Sequence, residues 1–351
     1  MILAGDIGGT KTYLALFDWK QERVEPLREE KFFNADFESF EEILDEFLHP
    51  PESPPDDFEL EDDEDAASSD QSNNLEDQPI EAACFGVAGP IVDNRCRATN
   101  IPWVIDGQAL SEAIHCPKVR LLNDIEAIAY GIPVLTPEET ELVNGQPQEH
   151  GTKVLIAPGT GLGEAILYWD GTRYHPIPSE GGHASFAPTS DIEIDLLRYI
   201  RTSFLHVSVE RILSGEGLHL LYQFLRDTKK NEPTWFAELL PTGDPAALIT
   251  EAALKGKPEI CVQALDLFVS ILGAESGNLA LKALARGGVY LGGGIVPHIL
   301  PCLKNGRFSQ AFMAKGRYKR LLSSIPVKVI KNDQAGLLGA ALFAARMEQA
   351  E

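Results

Sequence analysis

The pattern that most limits the fold occurs twice: an apolar strand, a turn of glycine and threonine, and a second apolar strand. The first copy, "ILAGDIGGTKTYLALFD" (2–18), predicts strands over Ile2–Asp6 and Thr12–Asp18. The second, "KVLIAPGTGLGEAILYWDG" (153–171), predicts strands over Val154–Ala157 and Ala165–Trp169, with the turn at Pro158–Gly163. The copies lie about 150 residues apart, roughly one domain length. A chain of 351 residues is long enough for two cores. The repeat therefore suggests two similar α/β lobes, each offering a Gly/Thr hairpin turn to one ligand.

The first copy nearly spells the phosphate-binding P-loop G-x-x-x-x-G-K-[ST]. Gly5 opens it and Lys11-Thr12 closes it, but Thr10 stands where the last glycine belongs. A P-loop runs from a strand into a helix, whose N-terminus supplies N–H donors. Here "YLALF" (13–17) is apolar and aromatic, which favours strand. A hairpin turn can still hold phosphate, because successive N–H groups form an anion-binding nest. Asp6 suits a phosphate that carries a divalent cation better than a naked one. A glycine-rich turn without a ligand remains open for this stretch taken alone. A dinucleotide site would need G-x-G-x-x-G opening a helix, whereas "GTGLGEAILYW" (159–169) has another spacing and leads into a strand.

The net charge of −23 argues against nucleic acid and anionic membrane surfaces as partners. Residues 50–79 hold twelve Asp and Glu and no Lys or Arg, so the rest of the chain carries −11. That stretch is poor in large apolar residues and reads as a disordered acidic insertion. It acts either as a solvated loop or as a docking site for a basic partner. It lies between the helix-like "FESFEEILDEFL" (37–48) and the strand-like "IEAACFGVAG" (80–89). Cys84, Cys96, Cys116, Cys261 and Cys302 are odd in number and never in a C-x-x-C pair, which suits reduced thiols rather than disulfides or zinc. The N-terminus has no basic leader, and no segment is expected to approach the ~18 apolar residues of a membrane span. A cytoplasmic location is expected.

Further along, "KVRLLND" (118–124) predicts a buried strand and "IEAIAYGI" a helix. Ser190 and Glu193 have the spacing of a capping box. Residues 258–288 predict one long helix or two abutting ones, and "GGVYLGGGIVP" (287–297) a strand, a glycine turn and a helix. "DQAGLLGAALFAARM" (333–347) predicts a helix capped by Asp333, with small residues that permit close packing.

The three turns Gly5–Thr10, Gly159–Gly163 and Gly292–Gly294 suit an ATP clamp of the actin and hexokinase type. "GDIGGTKT", "LLNDIEAIAYG", "APGTGLGEA", "EGGHASFAP", "ERILSGEGL", "GGVYLGGGIVP" and "DQAGLLGAA" together resemble the bacterial glucokinase family, in that family's order and over nearly the whole chain. The resemblance implies an α/β fold of two RNase H-like lobes with the active site in the cleft between them. The smaller lobe would comprise 1–133 plus 333–351, and the larger 134–332. The acidic stretch departs from the family's compact pattern. The related zinc-bearing sugar kinases carry clustered cysteines after their Gly-His motif, and "GGHASFAPTS" (181–190) has none.

A sugar hydroxyl is a weak nucleophile, so a carboxylate must accept its proton as the phosphoryl group arrives. Asp124, beside Asn123 at the end of a strand, is the candidate, although the pair could also merely cap the next helix. In the resemblance, Glu180, His183 and Glu210 contact the sugar, as do Asn123 and Asn100. Carboxylates, amides and an imidazole suit hydroxyls, which both donate and accept. Taken singly, Glu210 reads as a surface helix residue and His183 as a loop histidine. The resemblance assigns Gly5, Asp6, Ile7, Gly8, Gly9 and Thr10, with Gly159, Thr160, Gly161 and Gly163, to the ATP phosphates. Gly292, Gly293 and Gly294 would border the adenosine, and Asp6 would act on Mg²⁺ through water. Lys11 stays outside this set.

These expectations amount to an ATP-dependent glucokinase that phosphorylates the 6-hydroxyl of glucose, with lobe closure excluding water. A kinase for another hexose, such as mannose or an amino sugar, and a non-catalytic sugar sensor are the alternatives. Homodimers are usual in the family, and no motif here specifies one.

Overall fold

The computed structural model describes residues 1–20, 23–50, 78–99, 101–148 and 150–348. The expected disordered insertion at 50–79 thus falls almost wholly outside the described residues, as does Asn100. The chain divides into two compact units, Met1–Gly131 with Gly336–Glu351, and Ile132–Ala335.

In the first unit a five-stranded sheet runs in the order β3-β2-β1-β4-β8. Its strands are β1 (Ile2–Ile7), β2 (Lys11–Lys20), β3 (Arg23–Phe33), β4 (Ala82–Val87) and β8 (Val119–Asn123). A small antiparallel sheet of β5 (Ile91–Val92), β6 (Arg95–Arg97) and β7 (Val104–Asp106) lies between β4 and β8 in the chain. β1 pairs antiparallel with β2 and parallel with β4. Alternation along the strands gives the sheet two apolar faces. Leu3, Ile7, Ala83, Phe85 and Val87 face one core with α1 (Phe40–Leu48) and α2 (Gly107–Ala113). Ile2, Ala4, Ala82 and Cys84 face another with α3 (Asp124–Gly131) and the C-terminal helix (Ala335–Glu348). α1 starts at Ser39, whose Oγ accepts the Glu42 N–H.

The small residues of the C-terminal helix permit a backbone approach: a Cβ at Gly339 would overlap the Ala127 carbonyl of α3. The helix begins later than expected, because Asn332 rather than Asp333 closes the preceding turn, its Oδ1 accepting the Gln334 N–H at 2.8 Å.

The second unit repeats the plan with one extra edge strand, in the order β12-β11-β10-β13-β14-β9. The strands are β9 (Thr140–Asn144), β10 (Lys153–Pro158), β11 (Leu162–Trp169), β12 (Tyr174–Ser179), β13 (Gly288–Leu291) and β14 (Val327–Ile330). The hairpin β10–β11 and its parallel neighbour β13 correspond to β1–β2 and β4. Helices include α4 (Asp191–Ile200), α5 (Gly215–Lys229), α6 (Thr234–Leu239), α7 (Pro245–Leu254) and α8 (Glu259–Ala283).

α8 is a single helix that begins after Pro258, where the ring's fixed φ is tolerated. It is long and apolar enough to cross a membrane, contrary to the expectation that no segment approaches that length. In its most apolar 18-residue window, 78% is buried inside the fold. It serves as the core helix of this unit, apolar on most sides because β10, α5, α7 and neighbouring helices surround it.

The expected capping box at α4 does not form. Ser190 makes no side-chain cap, and Glu193 instead accepts from the Thr189 N–H and Oγ–H at 2.6 and 2.9 Å. After Gly292–Gly294 the chain makes successive turns before Leu300 rather than entering a helix at once.

Candidate active site

In the first unit the turn Gly8–Thr10 joins β1 to β2, with Ile7 paired to Thr12. The Gly8 N–H donates to the Lys11 carbonyl at 3.0 Å. Asn34, just beyond β3 and 5% exposed, staples this turn from beneath. Its Nδ2 donates to the Gly8 carbonyl at 2.9 Å, its backbone N–H to the Thr10 carbonyl at 3.0 Å, and its Oδ1 accepts the Thr12 hydroxyl at 2.8 Å. Sequence reasoning missed Asn34, since nothing local to "FFNADF" (32–37) marks it as the partner of a turn more than twenty residues away.

Gly5 is a glycine for packing: a Cβ there would stand 2.7 Å from the Phe85 ring and 2.8 Å from Leu14. Lys11 is exposed, with its ammonium 5.8 Å from the Phe33 ring centroid. A pocket of about 500 Å³ opens beside the turn, lined by Thr10, Asn34, Phe37, Glu38 and Trp103 among others.

Asp6, the last residue but one of β1, lies on the face turned to the C-terminal helix. A Cβ at Gly336, in that helix's first turn, would stand 2.8 Å from Asp6 Oδ2, and one at Gly86 would stand 3.8 Å from Oδ1. The glycines thus let the backbone approach the carboxylate closely, at the N-terminus of a helix whose dipole favours its negative charge. A single carboxylate of this kind suits Mg²⁺, which takes one or two carboxylates plus substrate phosphates. Among the described residues no trio of His, Cys, Asp or Glu forms a metal cage.

Asn123 is the last residue of β8, and Asp124 is the first of α3 rather than the end of the strand. The Ile125 N–H is shared between Asn123 Oδ1 at 3.0 Å and Asp124 Oδ1 at 2.9 Å. Asn123 Nδ2 donates to the Gly89 carbonyl at 3.1 Å. The pair therefore does cap α3, and Asp124 remains half-buried at the sheet edge. Its charge, after burial, helps raise the Cys96 thiol.

In the second unit the turn Gly159–Gly161 joins β10 to β11, with the Gly159 N–H donating to the Gly161 carbonyl at 2.8 Å. The Gly159 carbonyl accepts the Gly215 N–H at 2.9 Å, which ties the turn to the start of α5. Ser214 caps that helix through the Gly217 N–H at 3.1 Å. Gly292–Gly294 pack on the end of β10: the Gly292 N–H donates to the Ile156 carbonyl at 3.0 Å. Gly293 has φ +80, and a Cβ there would overlap the Pro158 carbonyl.

Glu210 joins this turn to the loop after β12. Its Oε2 accepts the Leu162 N–H at 2.9 Å, and its own N–H donates to the Gly182 carbonyl at 2.9 Å. Its Oε1 lies 3.7 Å from His183 Nδ1, and His183 Nε2 lies 3.9 Å from Glu180 Oε2. Glu180, His183 and Glu210 thus form one polar cluster beside Gly161 and Leu162. The glycines of "SEGGH" (179–183) are required: a Cβ at Gly182 would overlap the Leu162 carbonyl, and one at Gly181 the Glu164 carboxylate. Three side chains, two anionic and one imidazole, can accept from and donate to adjacent hydroxyls of one polyol.

A glucokinase family model matches residues 3–347. A glucokinase from Nostoc sp. is 39% identical, covering 99% of this chain and 99% of that protein. Among solved structures, a glucokinase from an Antarctic psychrotroph is 29% identical, with a TM-score of 0.81 and 98% of both chains covered. A ROK family glucokinase from Streptomyces griseus, in complex with glucose and AMPPNP, is 22% identical with a TM-score of 0.60 and supports the fold alone. With the repeated sheet order, the paired hairpin turns and a match over nearly its full length, this chain belongs to the glucokinase family of sugar kinases, built on the actin-like ATPase fold.

Proposed function

We propose that this chain transfers the γ-phosphoryl group of ATP to the 6-hydroxyl of glucose in the cytoplasm, with Asp124 accepting the hydroxyl proton. The observation that carries the proposal is the Glu210 bridge. One carboxylate holds the Leu162 N–H of a phosphate-type turn and faces the His183–Glu180 pair suited to hydroxyls. Nucleotide and sugar contacts built on one residue suit phosphoryl transfer, where catalysis is mostly positioning plus charge stabilisation.

In this scheme Asn123 and Asp124 of the first unit, and Glu180, His183 and Glu210 of the second, bind the sugar, with Asn100 as a further contact. Gly5–Thr10, Gly159–Gly161 and Gly163 serve the phosphates, and Gly292–Gly294 the adenosine. Asp6 would hold Mg²⁺ through water, and the bound ion would neutralise charge on the phosphates. Asp124 needs no raised pKa for its role, because proton transfer comes late in a loose transition state. What it needs is a fixed position, and the Ile125 N–H holds one of its oxygens.

Asp124→Asn tests the assignment. With saturating glucose and Mg-ATP, kcat should fall by roughly 10² to 10⁴, the usual worth of a general base. Glucose binding, followed by calorimetry, should persist. A kcat within about threefold of the parent would remove Asp124 as the base.

A further inference from the structure

Glu164 follows the second phosphate-type turn directly, and no role has been given to it. It lies on β11 opposite Ser179, the residue before Glu180. Its side chain is 1% exposed, and Oε1 has no hydrogen-bond partner. Gly181 rests on the other oxygen so closely that a Cβ there would overlap Oε2. The loop Glu180–His183 is thus seated on a buried carboxyl group, with Gly182 seated on the Leu162 carbonyl beside it.

We propose that Glu164 is a positioning residue for the loop Glu180–His183, holding it in its seated form when neutral and displacing it when ionised. The link from that loop to sugar affinity rests on the function proposed above.

The physical basis is the price of a buried charge. A carboxylate without water or a cation partner is costly, so such a group stays protonated or draws in water. Burial, with the negative Glu275 adding to it and Lys282 opposing, pushes Glu164 up to about 7. The surrounding charges give it no dedicated cation. Lys282 Nζ lies 3.6 Å from Glu275 Oε1, and Asn278 Nδ2 donates to Glu275 Oε2 at 2.8 Å. Lys315 is engaged by Asn278 Oδ1 at 2.6 Å and is influenced by Glu275 and Glu193. On the loop itself, Glu180 and His183 are the titratable groups. Relief of the ionised form requires water at Oε1 or Oε2, and Gly181 occupies the place beside Oε2.

Because the seated loop favours the protonated acid, sugar binding to that loop is coupled to proton uptake by Glu164 between the ordinary ~4.3 of a solvated glutamate and about 7. Across that window the glucose KM rises, by at most about tenfold per pH unit, and it levels off above about 7.

Two readouts on the full chain, compared with Glu164→Gln, test this. The first is amide exchange of the segment 181–184 without sugar, corrected for the intrinsic pH effect. There the His183 N–H donates to the Glu180 carbonyl and the Ala184 N–H to Gly181. Protection should fall between about pH 5 and 7 in the parent, level off above that, and stay high in Glu164→Gln. The second is the glucose KM, which should rise over the same range in the parent and stay flat in the variant. Gly181→Ala, which pushes on the carboxyl group from the other side, should raise that KM at every pH.

Protection profiles that coincide in parent and variant would overturn the proposal. Protection that changes as expected while the parent's glucose KM stays flat supports Glu164 as the loop's seat and overturns the assignment of that loop to glucose.

Discussion

The two glycine hairpin turns occupy equivalent places in two sheets of the same order, yet they are held in different ways. Gly8–Thr10 is fixed by a neutral amide, Asn34, whose side chain bonds the Gly8 carbonyl and the Thr12 hydroxyl and whose backbone N–H bonds the Thr10 carbonyl. Gly159–Gly161 is fixed by a backbone bond to α5 and, at Leu162, by the carboxylate of Glu210, which also faces His183. The first support can be removed without touching the polar cluster of the second unit. The second cannot, because turn and cluster share a residue. A duplicated supersecondary plan is therefore held by different side chains in its two copies, while the backbone plan stays the same.

Glu210→Ala should break this arrangement most severely. It strips a charge-assisted bond from the Leu162 N–H and a partner from His183, so the glucose kcat/KM should fall by about 10- to 10²-fold, with the KM for ATP rising too. Steady-state kinetics with each substrate varied in turn would show both effects. A change confined to glucose would mean that the bridge is not shared.

Asn34→Ala tests the other turn. It leaves the Gly8 carbonyl and the buried Thr12 hydroxyl without their partner, at a cost of about 1–3 kcal/mol in urea unfolding. The KM for ATP should rise and the dissociation constant for glucose should not. Gly336→Ala acts beside the same turn. A Cβ facing Asp6 Oδ2 forces a shift worth about 1–3 kcal/mol, and more Mg²⁺ should be needed for half-maximal rate. Ser214→Ala removes the cap of the helix that anchors the second turn and should cost about 1 kcal/mol, read as a lowered Tm.

The smallest effect is on pH dependence at the far end of β10. Lys153 is 7% exposed, 4.2 Å from the Tyr174 ring centroid, and burial lowers it to about 8. The unfolded lysine binds its proton to higher pH, so between about 8 and 10.4 the unfolded state holds more protons and stability rises with pH. Lys153→Met should flatten the urea midpoint across that window. A slope left intact would assign it to another group.

Much of the fold was legible because its information is local. Alternating apolar residues and Gly/Thr turns predicted both hairpins, and their repetition predicted two units of one plan. The family followed from motifs in order. What was not legible depends on contacts between distant segments. Asn34 is unremarkable in "FFNADF" and becomes a staple only when the end of β3 reaches the turn after β1. Gly336 was visible within "DQAGLLGAA", but only the packed helix shows that it makes room for Asp6.

Glu164 was likewise hidden, since alternation places it on a strand face without saying that a glycine loop covers it. The capping box at Ser190 failed for a related reason: Glu193 had a better donor pair one residue earlier, in Thr189. α8 shows the converse, as its apolar length alone does not distinguish a core helix from a span, and only burial does.

The most direct test of the central claim is ADP release with Mg-ATP over a panel of hexoses and amino sugars, with the phosphorylated carbon located by NMR. Glucose should dominate, giving glucose 6-phosphate, with little ADP released when sugar is omitted. Equal rates with mannose or an amino sugar would contradict glucose as the substrate, and no sugar-dependent ADP release would contradict the kinase itself.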